Sequence, residues 1–257
     1  MGNLGSYLLK LGERIEECSE CGLNCKLKKN QYCFYGITGK PKYMIIMQNP
    51  GLPKNSKDYK NEVLELEKEK EFAAKIDIWQ KYFKKWVVKN KAFFEEFFEN
   101  LKKFGLIKFD SFQTYVVHQM FNDFYVTDAV KCRASTKELK DDHFDKCFKN
   151  FLKKEIDYLN PKLIFAFSSR TWNILKEKMD KMQNIEKAPP IKECEAKGHK
   201  HEPTLVQAHG YLYSCGNERF IVPLAHMSKR QLQFYLRNSY FDYLPDGIEA
   251  FKKHSKN

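Results

Sequence analysis

The sequence predicts a three-layer α/β/α sandwich built on a four-stranded, mainly parallel sheet. Two observations lead there. Four short apolar runs lie along the chain and none alternates in polarity, as expected of strands covered on both faces. Amphipathic stretches with helical spacing separate those runs, and alternating strands and helices give a doubly wound sheet.

The strand candidates are Tyr43–Gln48, Phe124–Val130, Leu163–Ser168 and Phe220–His226. Between the first two, Phe93, Phe94, Phe97, Phe98, Leu101 and Phe104 form one apolar stripe at helical spacing. After the second run, Phe144, Phe148, Phe151, Leu152, Ile156 and Leu159 form another. Ser135-Thr136-Lys137-Glu138 reads as a capping box that introduces this helix, and Asn160-Pro161 closes it. Arg170–Lys178 and Lys229–Arg237 are further helix candidates. The whole of residues 1–257 is expected to form one domain. It would carry a charged helical insertion at about 55–91 and a Pro-, Gly- and His-bearing loop insertion at about 184–208.

Of the 257 residues, 42% are hydrophobic and 30% charged, a globular rather than a disordered composition. Lysine and arginine number 45 against 33 acidic residues, a net charge of +12. That surplus suits a polyanion, because phosphate contacts release condensed counterions; a lysine-rich surface is the plainer reading. The N-terminal stretch is too short and too charged for a signal peptide, and no run approaches the roughly 18 apolar residues of a membrane span. A cytoplasmic chain in a reducing compartment is therefore expected. There its eight cysteines serve as metal ligands or buried apolar side chains rather than as disulfides.

Cys18-Ser-Glu-Cys21 is a C-x2-C pair, Cys132 ends the second strand candidate and Cys147 lies early in the next helix. A strand end and the following helix start can face each other across a loop, so these thiols can converge. Four thiolates suit an iron–sulfur cluster or a structural zinc. Cys21-x3-Cys25 is a workable alternative pair, and Cys33 adds a further thiol. Cys194, His199, His201, His209 and Cys215 have ligand chemistry at irregular spacing, which reads better as a polar loop than as a zinc site.

Three strand-end motifs carry a family resemblance. Met47-Gln48-Asn49-Pro50-Gly51 follows the first run, Thr127–Arg133 (TDAVKCR) closes the second, and His226-Met227-Ser228-Lys229-Arg230 follows the fourth. In this order they resemble the uracil-DNA glycosylase superfamily, and most closely its iron–sulfur family 4 branch. That branch has an early C-x2-C-x-L, then GEAPG, YITNVVKCRP, a helical cysteine and HPAYLL. Cys18-x2-Cys21-x-Leu23, Val126–Arg133 and Cys147 match it, in blocks spanning about half of the chain. The chain departs from the family in four places. Gln48-Asn49 replaces the glutamate motif, Asp128 replaces the base-reading asparagine, and Met227 replaces a proline. The GRPFVG segment with its stacking phenylalanine gives way to the insertion.

The resemblance implies an N-glycosylase of base excision repair. It would act on DNA as a monomer, with no membrane attachment and a [4Fe-4S] cluster on Cys18, Cys21, Cys132 and Cys147. Asn49 would position the attacking water and His226 would stabilise the departing base. Gln48 and Asp128 would contact that base, and Ser228, Lys229 and Arg230 would hold phosphates, with Met227 or Leu232 wedging the stack. Phe34, Tyr35 and Tyr59 are the stacking candidates. An ionised aspartate only accepts hydrogen bonds, so Asp128 argues for a base other than uracil, or for lost activity. A cluster-bearing binding protein without catalysis is the second expectation. A small-molecule α/β enzyme is third, disfavoured because the sequence holds neither GxGxxG nor a P-loop.

Overall fold

The computed structural model describes residues 4–23, 41–50, 57–135, 137–179, 183–184, 205–215, 218–226 and 240–255. Four parallel strands form its centre: β1 (Tyr43–Met47), β2 (Phe124–Asp128), β3 (Leu163–Phe167) and β6 (Phe220–Leu224). Ile45 lies opposite Val126 on one side and Phe165 on the other, and Phe165 opposite Val222. Nearly every residue of these strands is buried, which explains why they read as continuous apolar runs.

Among the described residues the sheet has six strands rather than the expected four, in the order β2-β1-β3-β6-β5-β4. β5 (Tyr213–Ser214) pairs antiparallel with β6, and β4 (Gln183–Asn184) with β5. Each has two residues, too few to carry a readable period. All four expected strands are present, but each stops one or two residues short of its apolar run. Gln48, Ser168 and His226 thus fall just outside the strands, where the chain turns off the sheet.

Helices cover both faces. Before the sheet, α1 (Leu4–Glu17) buries Leu8, Leu11 and Ile15. After β1 come α2 (Lys57–Lys68), α3 (Phe72–Lys89) and α4 (Lys91–Lys103). The first two occupy the stretch read as a charged helical segment. The phenylalanine stripe on α4 is buried, and the Phe97 ring meets Phe165 edge-on at 5.2 Å. Phe98 packs on Phe124 at 5.8 Å. Two short helices, α5 (Phe112–His118) and α6 (Met120–Asp123), lead into β2.

Tyr125 and Thr127 alternate with Phe124 along β2 and face the opposite layer. There a continuous helix begins as α7 (Asp141–Cys147), passes through one π turn at Phe148–Leu152 and continues as α8 (Lys153–Leu159). Asn160 ends it in the left-handed conformation at φ 44°. The helix does not start at the expected capping box. The Glu138 carboxylate does accept from the Ser135 backbone N–H at 2.8 Å, but this closes a turn, and the helix begins at Asp141. α9 (Ser169–Lys178) lies beside α7, with the Arg170 guanidinium over the Phe144 ring.

A single turn, α10 (Leu205–Ala208), forms within the segment expected to be loop, the rest of which, from 185 to 204, lies outside the described residues. α11 (Leu244–His254) closes the chain beside α4 and β6, where Phe251 packs against Phe220. The Lys229–Arg237 helix expected from sequence lies outside the described residues.

Candidate active site at the carboxyl edge of the sheet

Parallel strands deliver their carboxyl ends to one edge, and the chain reverses its direction across the sheet between β1 and β3. Ligands of open α/β sheets bind in the crevice at such an edge. Met47 stands opposite Asp128 at the end of the β1–β2 ladder. The pairing runs on past the strands, as Ala129 N–H donates to the Met47 carbonyl at 2.7 Å and Val130 N–H to the Gln48 carbonyl at 3.0 Å. The first two family-like motifs are therefore tied together by backbone hydrogen bonds.

Asn49 adds a side-chain tie. Its amide nitrogen donates to the Ala134 carbonyl at 2.8 Å and to the Pro50 carbonyl at 3.0 Å. Gln48 Nε2 reaches Asn49 Oδ1 only at 3.4 Å. The Asn49 amide is thus oriented with its donors spent on the loop and its oxygen the group left to meet a water.

Asp128 is 4% exposed. Burial pushes its carboxyl up to about 7, against the opposing pull of Lys131 and Arg133 and with a smaller contribution from Glu155. Near neutral pH it is divided between a carboxylate and a neutral acid. His226, two residues beyond β6, is half-buried, and that burial lowers its pKa, so a neutral imidazole stands at the edge. With β3 between them, β1 and β6 set Asn49 and His226 about two strand spacings, or ~10 Å, apart.

The second motif holds a feature that the sequence did not reveal. Lys131 is 1% exposed, and its ammonium lies 2.5 Å from Glu155 Oε2 and 2.5 Å from Thr127 Oγ1. Tyr125 Oη donates to the same carboxylate at 3.0 Å. A buried ion pair persists only when further hydrogen bonds satisfy both partners, as they do here. Arg133 pairs with the buried Glu62 of α2, docking that helix on the same loop.

β3 ends in a strained residue. Ser168 has φ 100° and ψ 152°, a region close to glycine-only. Its hydroxyl caps α9 by accepting from Thr171 N–H at 3.2 Å, and its own N–H donates to the Leu224 carbonyl at 2.9 Å.

Two of the cysteines singled out from the sequence approach each other. The Cys21 and Cys147 sulfurs are 3.9 Å apart, although 126 positions separate them. That is far beyond a disulfide bond, so the fold brings two free thiols face to face. The hydrogen bond from Cys21 lowers the Cys147 pKa, helped by the Lys131 backbone N–H, while that contact raises Cys21. Cys18 is near enough to act electrostatically on both. Cys132, next to Lys131 at the end of the second motif, is 4% exposed. Among the described residues no three His, Cys, Asp or Glu side chains form a ready-made metal site. The donor set fits a soft metal centre in type, with Cys18, Cys21 and Cys147 near enough to act on one another and Cys132 on the residue next to Lys131.

The irregular cysteine and histidine group is dispersed where it is described. Both ring nitrogens of the buried His209 are engaged with backbone groups, and Cys215 Sγ donates to the Arg219 carbonyl. Neither is available to a metal. Cys194, His199 and His201 lie outside the described residues, as do Cys25, Cys33, Phe34, Tyr35, Gly51, Met227, Ser228, Lys229, Arg230 and Leu232. No placement is described for the Tyr59 side chain. Among the described residues no helix is long and apolar enough to cross a membrane.

No curated protein matches the chain. The family model described as the uracil DNA glycosylase superfamily matches residues 35–244. The match takes in all six strands and all three strand-end motifs, and the chain belongs to the uracil DNA glycosylase superfamily.

Proposed function

We propose that the protein is a monofunctional DNA glycosylase that hydrolyses the bond between deoxyribose and a flipped-out base. The observation that carries this reading is the gathering of Asn49, Asp128 and His226 at the carboxyl ends of β1, β2 and β6. In the reaction the N-glycosidic bond breaks with its electron pair leaving on the base. A water oxygen then bonds to C1′ and its proton ends on the departed base, leaving a neutral base and an abasic deoxyribose. Asn49 is no base, so its oxygen can only orient that water. The neutral His226 imidazole donates to the oxygen on which charge grows, an electrostatic contribution made in the transition state.

Asp128 sets the choice of base. As a carboxylate it accepts only, which repels uracil O4 and suits an exocyclic amine such as that of cytosine. As a neutral acid it offers a donor and an acceptor, which suits uracil. Its pKa near 7 makes both states accessible. Ser228, Lys229 and Arg230 are proposed to hold the DNA phosphates around the loop after His226, in line with the net charge of +12.

A [4Fe-4S] cluster is proposed on Cys18, Cys21, Cys132 and Cys147, with Cys25 as the alternative ligand to Cys18. When bound, it would supply a metal-thiolate tie between the N-terminal segment and the loop after β2.

The test is base release from single- and double-stranded oligonucleotides carrying uracil, hypoxanthine or a mismatched base, with anaerobically purified protein and metal analysis. Abasic product that disappears in Asn49→Ala and His226→Ala, with about four irons per chain, is the expected result. Tight, salt-sensitive DNA binding without product would reassign the protein to non-catalytic binding. One zinc per chain would replace the cluster.

A further inference from the structure

His226 follows a residue, Ala225, whose backbone is held in an unusual way. Ala225 has left the sheet, so no strand partner takes its backbone groups, and side chains take both of them. Ala225 N–H donates to His209 Nδ1 at 2.9 Å, and the Tyr240 hydroxyl donates to the Ala225 carbonyl. His209 Nε2 in turn donates to the Tyr240 backbone carbonyl at 2.6 Å. The three residues form a closed ring of hydrogen bonds, and the His209 and Tyr240 rings meet edge-on at 4.6 Å.

We propose that His209 and Tyr240 are positioning residues for His226, fixing the peptide from which the His226 imidazole is aimed into the crevice. The assignment rests on the reading of His226 given under Proposed function. His209 is 2% exposed and Tyr240 likewise 2%, so neither reaches a substrate. What they control is the direction in which the chain leaves β6.

The ring of bonds admits one tautomer. Nδ1 must be bare to accept from Ala225, and Nε2 must carry the proton to donate to Tyr240. Burial depresses the His209 pKa to about 4, which keeps that tautomer in place at neutral pH. The surrounding backbone is equally constrained. Gly210 N–H donates to the Pro223 carbonyl at 2.9 Å. A Cβ on Gly210, whose φ is +83°, would come within 2.7 Å of Tyr243 Cβ, and a Cβ on Gly247 within 2.1 Å of the Gly210 carbonyl oxygen. The segment bearing His209 is thereby wedged between β6 and the start of α11. Donor placement at this precision matters, since a misplacement of about 1 Å costs on the order of a hundredfold in rate.

The experiment compares full-length wild type with His226→Ala, His209→Leu, His209→Gln and Tyr240→Phe. Single-turnover product formation is measured on uracil, hypoxanthine and mismatch oligonucleotides, together with DNA affinity and thermal melting. Tyr240→Phe is expected to remain folded and to lose at least about tenfold in rate with DNA affinity unchanged. His209→Leu should lose as much or more, and His209→Gln should recover part of it, because its amide can both accept from Ala225 and donate to Tyr240. Where none of the three oligonucleotides gives product, the His226 ring resonances report instead. They should shift in Tyr240→Phe and His209→Leu and return toward wild type in His209→Gln. Native rates in Tyr240→Phe and His209→Leu while His226→Ala is inactive would overturn the positioning role alone. Unmoved His226 resonances would do the same. A fully active His226→Ala would instead overturn the reading of His226 and this assignment with it.

Discussion

Asn49 donates its side-chain amide to the backbone carbonyl of Ala134, 85 positions away, at 2.8 Å. Replacing Asn49 with alanine removes that bond and the one to Pro50, with an expected loss of about 1–3 kcal/mol. Asn49→Asp should be worse at pH 7, because a carboxylate would face two carbonyl oxygens without a proton to offer. The gap between the two variants should close below about pH 4, where the new acid protonates and regains a donor. Urea unfolding of both variants at pH 7 and below 4 checks this.

Asp128 links stability to pH. Its pKa is raised from 3.8 to about 7 in the folded protein, so the folded state holds the proton more tightly than the unfolded chain. Its contribution is fully present below about pH 4 and is lost as pH rises through about 7. A shift of roughly three units, at about 1.4 kcal/mol each, sets an upper bound of about 4 kcal/mol. Asp128→Asn should lack this slope and be more stable than wild type above pH 7. The same titration orders the substrates: uracil release should gain on the acid side of pH 7, and release of an amine-bearing base on the alkaline side. Asp128→Asn should favour uracil at both.

The Lys131–Glu155 pair should show strong coupling. Lys131→Met or Glu155→Leu alone strands a buried charge and should cost about 3–5 kcal/mol. The combined Lys131→Met and Glu155→Leu should cost less than either single change, since no buried charge is left alone. A double-mutant cycle by denaturant unfolding reads this out, and additive losses would mean that the pair is not the unit.

Ser168 holds φ at 100°, which costs on the order of 1–3 kcal/mol for a residue with a Cβ. Ser168→Gly relieves that cost and loses only a few tenths of a kcal/mol as a helix cap. A net gain of about 1 kcal/mol is expected. Ser168→Ala keeps the strain, loses the cap and should be less stable than wild type. Thermal melting of the two variants distinguishes them.

The central sheet was legible because strands buried on both faces leave continuous apolar runs, and α4 because its phenylalanines recur at helical spacing. The strand ends were legible as motifs for the same reason that they leave the sheet: polar residues interrupt the runs at Gln48 and His226. What escaped depends on contacts that leave no local pattern. β4 and β5 are too short for a period. The bond from Asn49 ends on a main-chain oxygen of Ala134, which no residue type announces. Lys131 was visible as part of a motif, but lysine is rarely buried, and only the fold supplies Glu155 to receive it. His209 sat among irregular histidines and cysteines, which read as a polar loop, and nothing in that loop announced that its two ring nitrogens meet backbone groups.

The π turn between α7 and α8 sets an angular phase. Each α-helical residue advances by about 100°, so eight positions of regular helix would leave Glu155 about 80° out of line with Cys147. Both nevertheless reach Lys131, Glu155 through the ammonium and Cys147 through the backbone N–H. The wider turn at Phe148–Leu152 takes up the extra residue and brings the two side chains onto one meridian of the helix. Drawing that turn into regular helix with all its residues kept would therefore act like slipping one tooth of a gear. The buried carboxylate or the thiol would rotate about 80° away from Lys131, and the ion pair and the sulfur corner could no longer be satisfied together, whereas deleting one residue leaves seven regular positions, about 20° from alignment, and keeps both.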